Sequence, residues 1–322
     1  MLFRSEKDVS PGEKKWVEIP VPGGEVLRGM CLRGASSGPR LVVTAGVHGC
    51  EYVGVEALRR LIKELEPGEM KGSVFLLPLA NPQGFYAGAK QVVPEDKVNL
   101  NRAFPGSPQG SAAFRLAWAL EQTLYPGADF LADLHSGDCN ESLQPLVFFP
   151  REGEKEVCRA ARQAAQVLNV PYRVASTAKN GLYSWAVQQK IPALLIERGC
   201  QGLWSEEEVK ACQEDVLGLL CHLGICSGPV PAPLQREITK AWYVEGEEEG
   251  FWYPQVQAGD MVKKGQLLGV VENLEGSVIC RVQAESDGVV LYHTTALGVG
   301  KNEPLIAYGT WDEKQTDRKS VV

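Results

Sequence analysis

Between residue 40 and about residue 225 the sequence alternates short apolar runs with segments of helical periodicity. Leu41-Val42-Val43 predicts a buried strand, and the apolar spacing after Glu51 predicts a helix that Pro67-Gly68 ends. The same pattern predicts further strands and helices, namely strands at Ser73 to Leu79, Phe130 to Leu134 and Ala193 to Ile196, and helices at Ala112 to Leu124 and Ser205 to Leu223. Such alternation is typical of a sheet covered on both faces by helices. This part of the chain is therefore predicted to be α/β.

The proline-rich stretch from Ser227 to Pro233 cannot continue a helix, and composition and periodicity both change after it. We therefore predict two domains, residues 1–228 and residues 229–322. In the second, glycine and acidic turns separate short strands, which favours a small all-β barrel or sandwich. Two segments, Ala258 to Leu268 and Ala284 to Val290, resemble the barrel-sandwich fold of biotinyl and lipoyl carriers. The intervening turn, Glu272 to Ser277, has no lysine to carry a prosthetic group.

Charge and cysteine usage exclude several classes of partner. The net charge is −7 and no dense Lys/Arg stretch is present, so nucleic acid is not an expected partner. The first sixteen residues lack the apolar run of a signal peptide, and no later apolar stretch approaches membrane-spanning length. The nine cysteines are odd in number and scattered, which favours reduced thiols. We expect a cytoplasmic protein without membrane contact, and a homo-oligomer is compatible with this because dimers are common among soluble enzymes.

Reactive polar side chains follow three of the predicted strands. His48 follows the strand that begins at Leu41, His135 follows Phe130 to Leu134, and Glu197 follows Ala193 to Ile196. In open α/β sheets, ligands bind beyond the carboxyl ends of the strands. These three side chains are therefore candidates for a functional site.

His48 and Glu51 are three positions apart at a strand-to-helix turn, so both can reach one cation. With His135 as a distant third ligand, two histidines and a glutamate leave one tetrahedral position open for water, as in catalytic zinc sites. The pattern predicts one Zn²⁺ per chain. A lone histidine at a strand end is more often a hydrogen-bonded neighbour than a ligand, and neither His222 nor His293 has an acidic residue at ligand spacing. The nearby thiols of Cys50, Cys139 and Cys200 are interpreted as small buried hydrophobes rather than ligands.

Five segments together resemble the succinylglutamate desuccinylase and aspartoacylase family, which belongs to the zinc metallocarboxypeptidase-like superfamily. In order, they are Ala45 to Glu51, Asn81-Pro82, Asn99 to Gly106, Asp133 to Gly137 and Ile196 to Gly199. The resemblance covers nearly the whole chain. It implies a zinc-carboxypeptidase-like mixed sheet flanked by helices, with the C-terminal domain beside the active site, where it shapes substrate access. It also implies an amidohydrolase that removes the acyl group from a small N-acylated amino acid or related amino compound.

The resemblance assigns roles to individual residues. It implies that His48, Glu51 and His135 bind zinc and that Glu197 is the carboxylate that activates the attacking water. For Glu197 the alternative is an ion pair with Arg198 or another cation.

Asn101-Arg102 matches the family pair that grips a substrate carboxylate, and a guanidinium suits such a planar partner. The alternative is an arginine that holds a loop. The sequence departs from the family at two positions. Lys90 stands where many relatives carry the arginine that helps to stabilise the oxyanion, and it supplies charge without a planar fork. Asn99 stands where many carry the aspartate that orients a zinc histidine, and it accepts a hydrogen bond without adding charge.

Two functions other than a deacylase are also considered for this sequence. A metallocarboxypeptidase that acts on peptides would share the metal and the arginine but would need an open cleft. A non-catalytic binding protein with a decayed site would not be expected to keep a complete ligand set and Glu197. The deacylase is the favoured interpretation.

Overall fold

The computed structural model describes residues 8–312, in which helices and strands alternate up to residue 222 and only strands and turns follow. Its seventeen strands are, in chain order, β1 (Glu13–Pro20), β2 (Val26–Arg33), β3 (Ser36–Ala45), β4 (Lys71–Leu77), β5 (Phe130–His135), β6 (Glu141–Leu143), β7 (Leu146–Pro150), β8 (Tyr172–Ser176), β9 (Ala193–Glu197), β10 (Arg236–Glu245), β11 (Gly250–Pro254), β12 (Met261–Val262), β13 (Leu267–Glu272), β14 (Val278–Gln283), β15 (Gly288–Thr294), β16 (Gly298–Val299) and β17 (Pro304–Trp311). Its six α-helices are α1 (Tyr52–Glu64), α2 (Pro82–Ala87), α3 (Ala112–Leu124), α4 (Lys155–Ala165), α5 (Leu182–Gln188) and α6 (Glu206–His222).

Thirteen of the described strands form one mixed sheet. Its order is β1-β2-β4-β3-β5-β9-β7-β8-β10-β17-β15-β12, and β6 pairs with β15 off this path. Strands β4, β3, β5 and β9 are parallel neighbours, whereas β7 runs antiparallel to β9. The predicted α/β class with a mixed sheet flanked by helices is thereby confirmed.

The central strands are apolar on both faces because helices cover both faces of the sheet. In β3, Val43 faces a core that α1, α4 and α6 complete, while Val42 faces a second core with α3 and α5. Burying one such side chain stabilises the fold by roughly 1.5–3 kcal/mol. The apolar runs of the sequence therefore identify the strands that carry the two cores.

The predicted elements in this region lie where the pattern places them. Helix α3 spans the predicted residues, and the Ser205 hydroxyl caps α6 by accepting a hydrogen bond from the Glu208 backbone N–H at 3.2 Å. Helix α1 ends at Glu64, and a separate 3-10 turn, Pro67–Glu69, follows it.

The large sheet continues across the predicted domain boundary at residue 228. Strand β10, the first strand after that boundary, pairs in parallel with β8, and β15 pairs antiparallel with β6. The two predicted domains therefore share hydrogen-bonded strands. The other C-terminal strands form a second sheet, with the order β14-β13-β11-β16. Its Trp252 and Val271 share one apolar cluster with Tyr308 of the large sheet.

Two expectations from the sequence fall partly on residues outside the described range. The N-terminal stretch without a signal-peptide pattern includes residues 1–7, and the second predicted domain extends past residue 312. Within residues 8–312 no helix combines the length and the apolar character needed to span a bilayer. All nine cysteines are free thiols, as expected.

Candidate functional site

Strands β3, β5 and β9 are adjacent and parallel, so their carboxyl ends meet at one edge of the sheet. His135 and Glu197 are direct cross-strand partners there. The chain leaves β3 through Gly46, whose φ of 65° suits glycine. At Gly49 a Cβ atom would lie 2.1 Å from the carbonyl oxygen of Gly84, so only glycine allows this close approach. These two glycines place the loop that carries His48 at the sheet edge.

The side chains of His48, Glu51 and His135 converge at this edge. One carboxylate oxygen of Glu51 lies 2.7 Å from His48 Nδ1, and the other lies 2.9 Å from His135 Nδ1. All three residues are buried, and one ligand atom from each lies within 4.8 Å of the other two. Together they form a group that could hold a metal ion.

Hydrogen bonds on the far side of each imidazole fix the ring orientation. His48 Nε2 lies 3.1 Å from Asn99 Oδ1, and His135 Nε2 lies 3.0 Å from Asp133 Oδ2. The Thr44 hydroxyl in turn donates to Asp133 Oδ1 at 2.7 Å. Because Nε2–H can donate to these oxygens, both Nδ1 atoms are left to face the common point. Asn99 thus contacts His48 through its amide oxygen, the acceptor that the sequence offers at this position.

The charged side chains of this group act strongly on one another's pKa values. Burial acts to raise the pKa of Glu51, but the two imidazoles outweigh burial and lower it to about 2. Burial alone would lower the pKa of His135, yet Asp133 and Glu51 raise it well above its ordinary value. The ionised Glu51 and the negative charge of Asp133 suit a cation, and a bound metal ion would replace the proton that His135 otherwise holds.

Glu197 lies beside this group and is not held by another protein side chain. Its Oε2 atom is buried without a hydrogen-bond partner in the described residues, and burial raises the pKa of Glu197 to about 8. Arg198 instead donates to Asp215 at 2.5 Å and to the Asn169 carbonyl oxygen at 2.7 Å. The ion pair between Glu197 and Arg198 that the sequence left open is therefore absent from the described structure. A carboxyl group that titrates near neutral pH can both accept and donate a proton.

A cavity of about 480 Å³ opens in front of these groups. Arg102 is exposed and lines it, and its guanidinium donates one hydrogen bond to the Asn101 carbonyl oxygen at 2.8 Å. The Asn101 side chain accepts from the Leu182 backbone N–H at 2.9 Å, which ties it to the start of α5. Lys90 is not among the lining residues, and its Nζ lies 3.4 Å from Asp138. The structure therefore places Arg102 and Asn101 in the lining of the cavity, and Lys90 outside the lining but next to Asp138, which belongs to it.

Several residues that line the cavity could not be predicted from the sequence, because they come from segments far apart in the chain. Glu141 of β6, Tyr243 of β10 and Tyr292 of β15 all face the cavity. Asp133 could have been found, since it is two positions before His135 in β5 and the two side chains share one face of the strand.

The three cysteines near the site do not join the group that could hold a metal. Cys50 is buried as expected, whereas Cys139 is exposed and Cys200 is only partly buried. The interpretation as buried hydrophobes is correct for Cys50 and wrong for Cys139, because Cys139 lies in the turn that precedes β6.

A family model and individual relatives both show similarity to proteins that remove acyl groups from amino acids. Residues 37–223 match the model of the succinylglutamate desuccinylase/aspartoacylase catalytic domain. An N-alpha-acetyl-L-2,4-diaminobutyric acid deacetylase from Halomonas elongata is 29% identical over 292 residues, which cover 88% of this chain and 83% of the relative. A succinylglutamate desuccinylase from Pseudomonas paraeruginosa is 29% identical over 133 residues, covering 38% of this chain and 39% of the relative.

Solved structures resemble the chain over almost its whole length. The product-bound structure of the ectoine utilization protein EutE (DoeB) from Ruegeria pomeroyi has a TM-score of 0.84 at 25% identity, covering 94% of this chain and 96% of that one. A succinylglutamate desuccinylase/aspartoacylase structure from Rhodobacter sphaeroides shares the fold, with a TM-score of 0.84 at 23% identity over 94% of this chain and 97% of the other. Since the family model spans more than half of its residues, the chain belongs to the succinylglutamate desuccinylase/aspartoacylase family.

Proposed function

We propose that this protein is a zinc-dependent deacylase that hydrolyses the amide bond of a small N-acylated amino acid or related amino compound. The observation that carries the proposal is the buried convergence of His48, Glu51 and His135 beside the unpartnered carboxylate of Glu197. Two relatives are named as a deacetylase and a desuccinylase, which also supports a deacylase.

The donor atoms present fit zinc. Two imidazole nitrogens and one carboxylate oxygen form a ligand set found in catalytic zinc sites, and the hydrogen bonds from Asn99 and Asp133 orient the rings for it. We propose that His48, Glu51 and His135 hold one Zn²⁺ per chain. When bound, the ion would polarise the acyl carbonyl and make water a stronger acid.

We assign the proton transfers to Glu197. Its carboxylate accepts a proton from the attacking water and then passes that proton to the nitrogen of the departing amine. A pKa near 8 suits both steps, because proton transfer is most effective when the pKa lies close to the working pH. Its place opposite His135 in the sheet keeps it next to the proposed metal ligands.

Arg102 is proposed to bind the substrate carboxylate. Apart from the contact with the Asn101 carbonyl oxygen, its N–H groups have no protein acceptor in the described part of the chain, and they are available at the cavity surface. Asn101 supports this role by fixing the loop against α5. Lys90, which is paired with Asp138, is proposed to add positive charge near the developing oxyanion.

The names of the relatives indicate which acyl groups to test first. One acts on an acetylated and another on a succinylated amino acid, so both acyl types belong in a first screen with several amino acids. Dipeptides in the same screen separate a deacylase from a metallocarboxypeptidase. We also propose that the protein acts in the cytoplasm, which its nine free cysteines support.

The test is the substitution Glu197→Gln in protein purified without chelator. We expect zinc to remain stoichiometric and kcat to fall by about 10²–10⁴-fold, because the variant cannot move the proton. Glu207→Gln, an exposed carboxylate at the start of α6, is the matched control and should keep wild-type turnover. Near wild-type activity of Glu197→Gln would exclude this residue from the reaction, and protein that binds no zinc would refute the metal site.

A further inference from the structure

Asn81 is a fully buried polar residue between β4 and α2, and it is not one of the described residues that line the cavity. Its backbone N–H donates to the Gly46 carbonyl oxygen at 2.9 Å, and the backbone N–H of Ala80 donates to the Ala45 carbonyl oxygen at 2.9 Å. These bonds continue the contact between the β4 and β3 segments up to the loop that carries His48. The backbone of Asn81 is therefore fixed against that loop.

The side chain of Asn81 joins three segments of the chain. Its Oδ1 atom accepts a hydrogen bond from the Gly84 backbone N–H at 2.9 Å, at the start of α2. Its Nδ2 atom donates to the Val47 carbonyl oxygen at 3.3 Å and to the Val92 carbonyl oxygen at 3.4 Å. Both N–H donors and the oxygen of the amide are thus engaged by backbone groups.

The Val47 carbonyl group belongs to the peptide that leads into His48. The hydrogen bond from Asn81 therefore holds the backbone from which the imidazole projects. The start of α2, which Asn81 caps, packs against the same loop, because a Cβ atom on Gly49 would lie only 2.1 Å from the Gly84 carbonyl oxygen. Asn81 thus fixes the His48 loop both directly and through the helix.

The Val92 carbonyl group belongs to the segment that orients the His48 ring. Val92 and Asn99 form an isolated antiparallel bridge, and Asn99 Oδ1 lies 3.1 Å from His48 Nε2. The hydrogen bond from Asn81 to Val92 therefore acts on the group that contacts the outer nitrogen of this imidazole. The backbone of His48 and the contact of its ring both depend on one amide.

Capping α2 alone does not require an asparagine. Aspartate, serine and threonine also accept a backbone hydrogen bond at the start of a helix. Of these capping side chains, only asparagine carries two N–H donors as well. Here the two donors bind Val47 and Val92, on the two sides of His48. The amide group is therefore explained by the loops of the candidate metal site and not by the helix.

We propose that Asn81 is a positioning residue for the metal site, in which one buried amide fixes both the backbone of His48 and the segment that orients its ring. This inference rests on the proposed zinc site and gives Asn81 no contact with metal or substrate. It keeps His48 Nδ1 facing Glu51 and His135 before an ion binds. Less ordering of the loop is then required when the ion arrives.

The test measures zinc affinity by competition with a chelating dye in Asn81→Asp and Asn81→Ser. Both variants keep an oxygen that can cap α2, but neither can donate to two carbonyl oxygens, whether the carboxyl group is ionised or protonated. We expect zinc binding to weaken by at least about tenfold in each, as is usual when a group that orients a metal ligand is lost. Asn81→Ser introduces no charge, so it decides the question if Asn81→Asp does not fold.

A second measurement reports the geometry of the ligands. The visible absorption of Co²⁺ bound in place of zinc depends on how its ligands are arranged. We expect this spectrum to change in both Asn81 variants, because His48 is displaced. A loss of stability alone would leave the spectrum of the folded protein as it is in the wild type.

Gln235→Glu is the matched control. The Gln235 amide likewise donates to two backbone carbonyl oxygens, those of Ala165 at 3.1 Å and Leu168 at 2.6 Å, and none of these three is among the described residues that line the cavity. This variant should keep the zinc affinity and the cobalt spectrum of the wild type. An equal loss of zinc affinity in Gln235→Glu and in the Asn81 variants would overturn the positioning role.

A double substitution tests the route through Asn99. If Asn81 acts partly through Asn99, Asn81→Ser should weaken zinc binding by a smaller factor in the Asn99→Ala background than in the wild type, because residues of one network are not additive. Equal factors in both backgrounds would overturn this route.

Zinc affinity and the cobalt spectrum require no substrate, so this inference and the proposed function can fail separately. Wild-type affinity and an unchanged spectrum in both Asn81 variants would overturn the positioning role and leave the deacylase intact. If the wild type holds zinc but hydrolyses no N-acylated amino acid, the deacylase is refuted, whereas weakened zinc binding in the variants still supports Asn81. A wild type that binds no zinc would overturn both.

Discussion

The two imidazoles of the proposed metal site are oriented by different groups. His135 contacts the carboxylate of Asp133, whereas His48 contacts the neutral amide of Asn99. A carboxylate orients the ring and also makes it a more basic ligand, while an amide only orients it. We therefore expect the His135 side to contribute more to metal affinity.

Replacing Asp133 tests this difference. Asp133→Ala should weaken zinc binding by about 10–100-fold, since the ring loses both its orientation and its negative neighbour. Asp133→Asn keeps a hydrogen-bond acceptor, so its zinc affinity should lie between that of Asp133→Ala and that of the wild type. Affinity is measured by competition with a chelating dye. Unchanged affinity in Asp133→Ala would show that packing alone orients His135.

At the scale of single residues, the sequence identified reactive side chains that directly follow a predicted strand. His48, Glu51 and His135 could be selected because few residues offer ligand atoms at such positions, and the structure brings the three together. Glu141 and Tyr292 could not be selected, because their meeting depends on the pairing of β6 with β15, about 150 residues apart. The residues next to Glu141 and Tyr292 in the sequence give no indication that these two side chains come together.

Strand β9 and helix α6 are joined by a buried ion pair at the edge of the site. Arg198 follows Glu197 directly, and its guanidinium contacts Asp215 of α6 at 2.5 Å. The other oxygen of Asp215 accepts from the Asn169 backbone N–H at 2.7 Å. This contact fixes the end of β9 and with it the position of Glu197.

Asp215→Ala should lower the free energy of unfolding by about 3–5 kcal/mol, because Arg198 would remain buried with only the more distant Glu208, at 3.6 Å, as an anionic partner. Urea denaturation followed by circular dichroism measures the change. The control is the neighbouring Glu214→Ala, whose ion pair with Lys210 is exposed and 3.9 Å long, and here the change should stay within about 0.5 kcal/mol. Equal effects of the two substitutions would contradict the structural role of Asp215.

The predictability of an element depended on its length and burial. Strands β5 and β9 have continuous apolar runs, and both were predicted to within one residue. Strand β6 has only three residues, too few for a period to appear, and its backbone partner lies in the C-terminal part. Elements that form through distant pairing carry little signal in their own sequence.

At the scale of the whole molecule, the composition changes after residue 228 and so does the architecture, from alternating helices and strands to strands alone. The two parts nevertheless share one sheet and one apolar cluster. Ile238 of β10 is buried and packs with Leu146, Tyr172 and Val174 of the preceding part. The pairing of β10 with β8 makes the two parts one continuous sheet. The stability of either part should therefore depend on the other.

Ile238→Asp tests this dependence. The substitution removes an aliphatic side chain from the shared cluster and buries a charge there, so we expect a loss of at least about 4 kcal/mol and a lower Tm for the whole molecule. The matched control is Leu234→Asp, because Leu234 is 96% exposed and its replacement should leave Tm nearly unchanged. If only the C-terminal part unfolded earlier in calorimetry, the two parts would be independent.

The walls of the cavity come from distant parts of the sequence. Pro304 and Ile306 of β17, which line the same cavity as His48, are translated more than 250 residues after it. A nascent chain that has emerged only a little past Glu197 holds the groups proposed for the reaction, together with Arg102, but lacks this part of the wall. The cavity is thus completed during biosynthesis only after the reactive groups have been made.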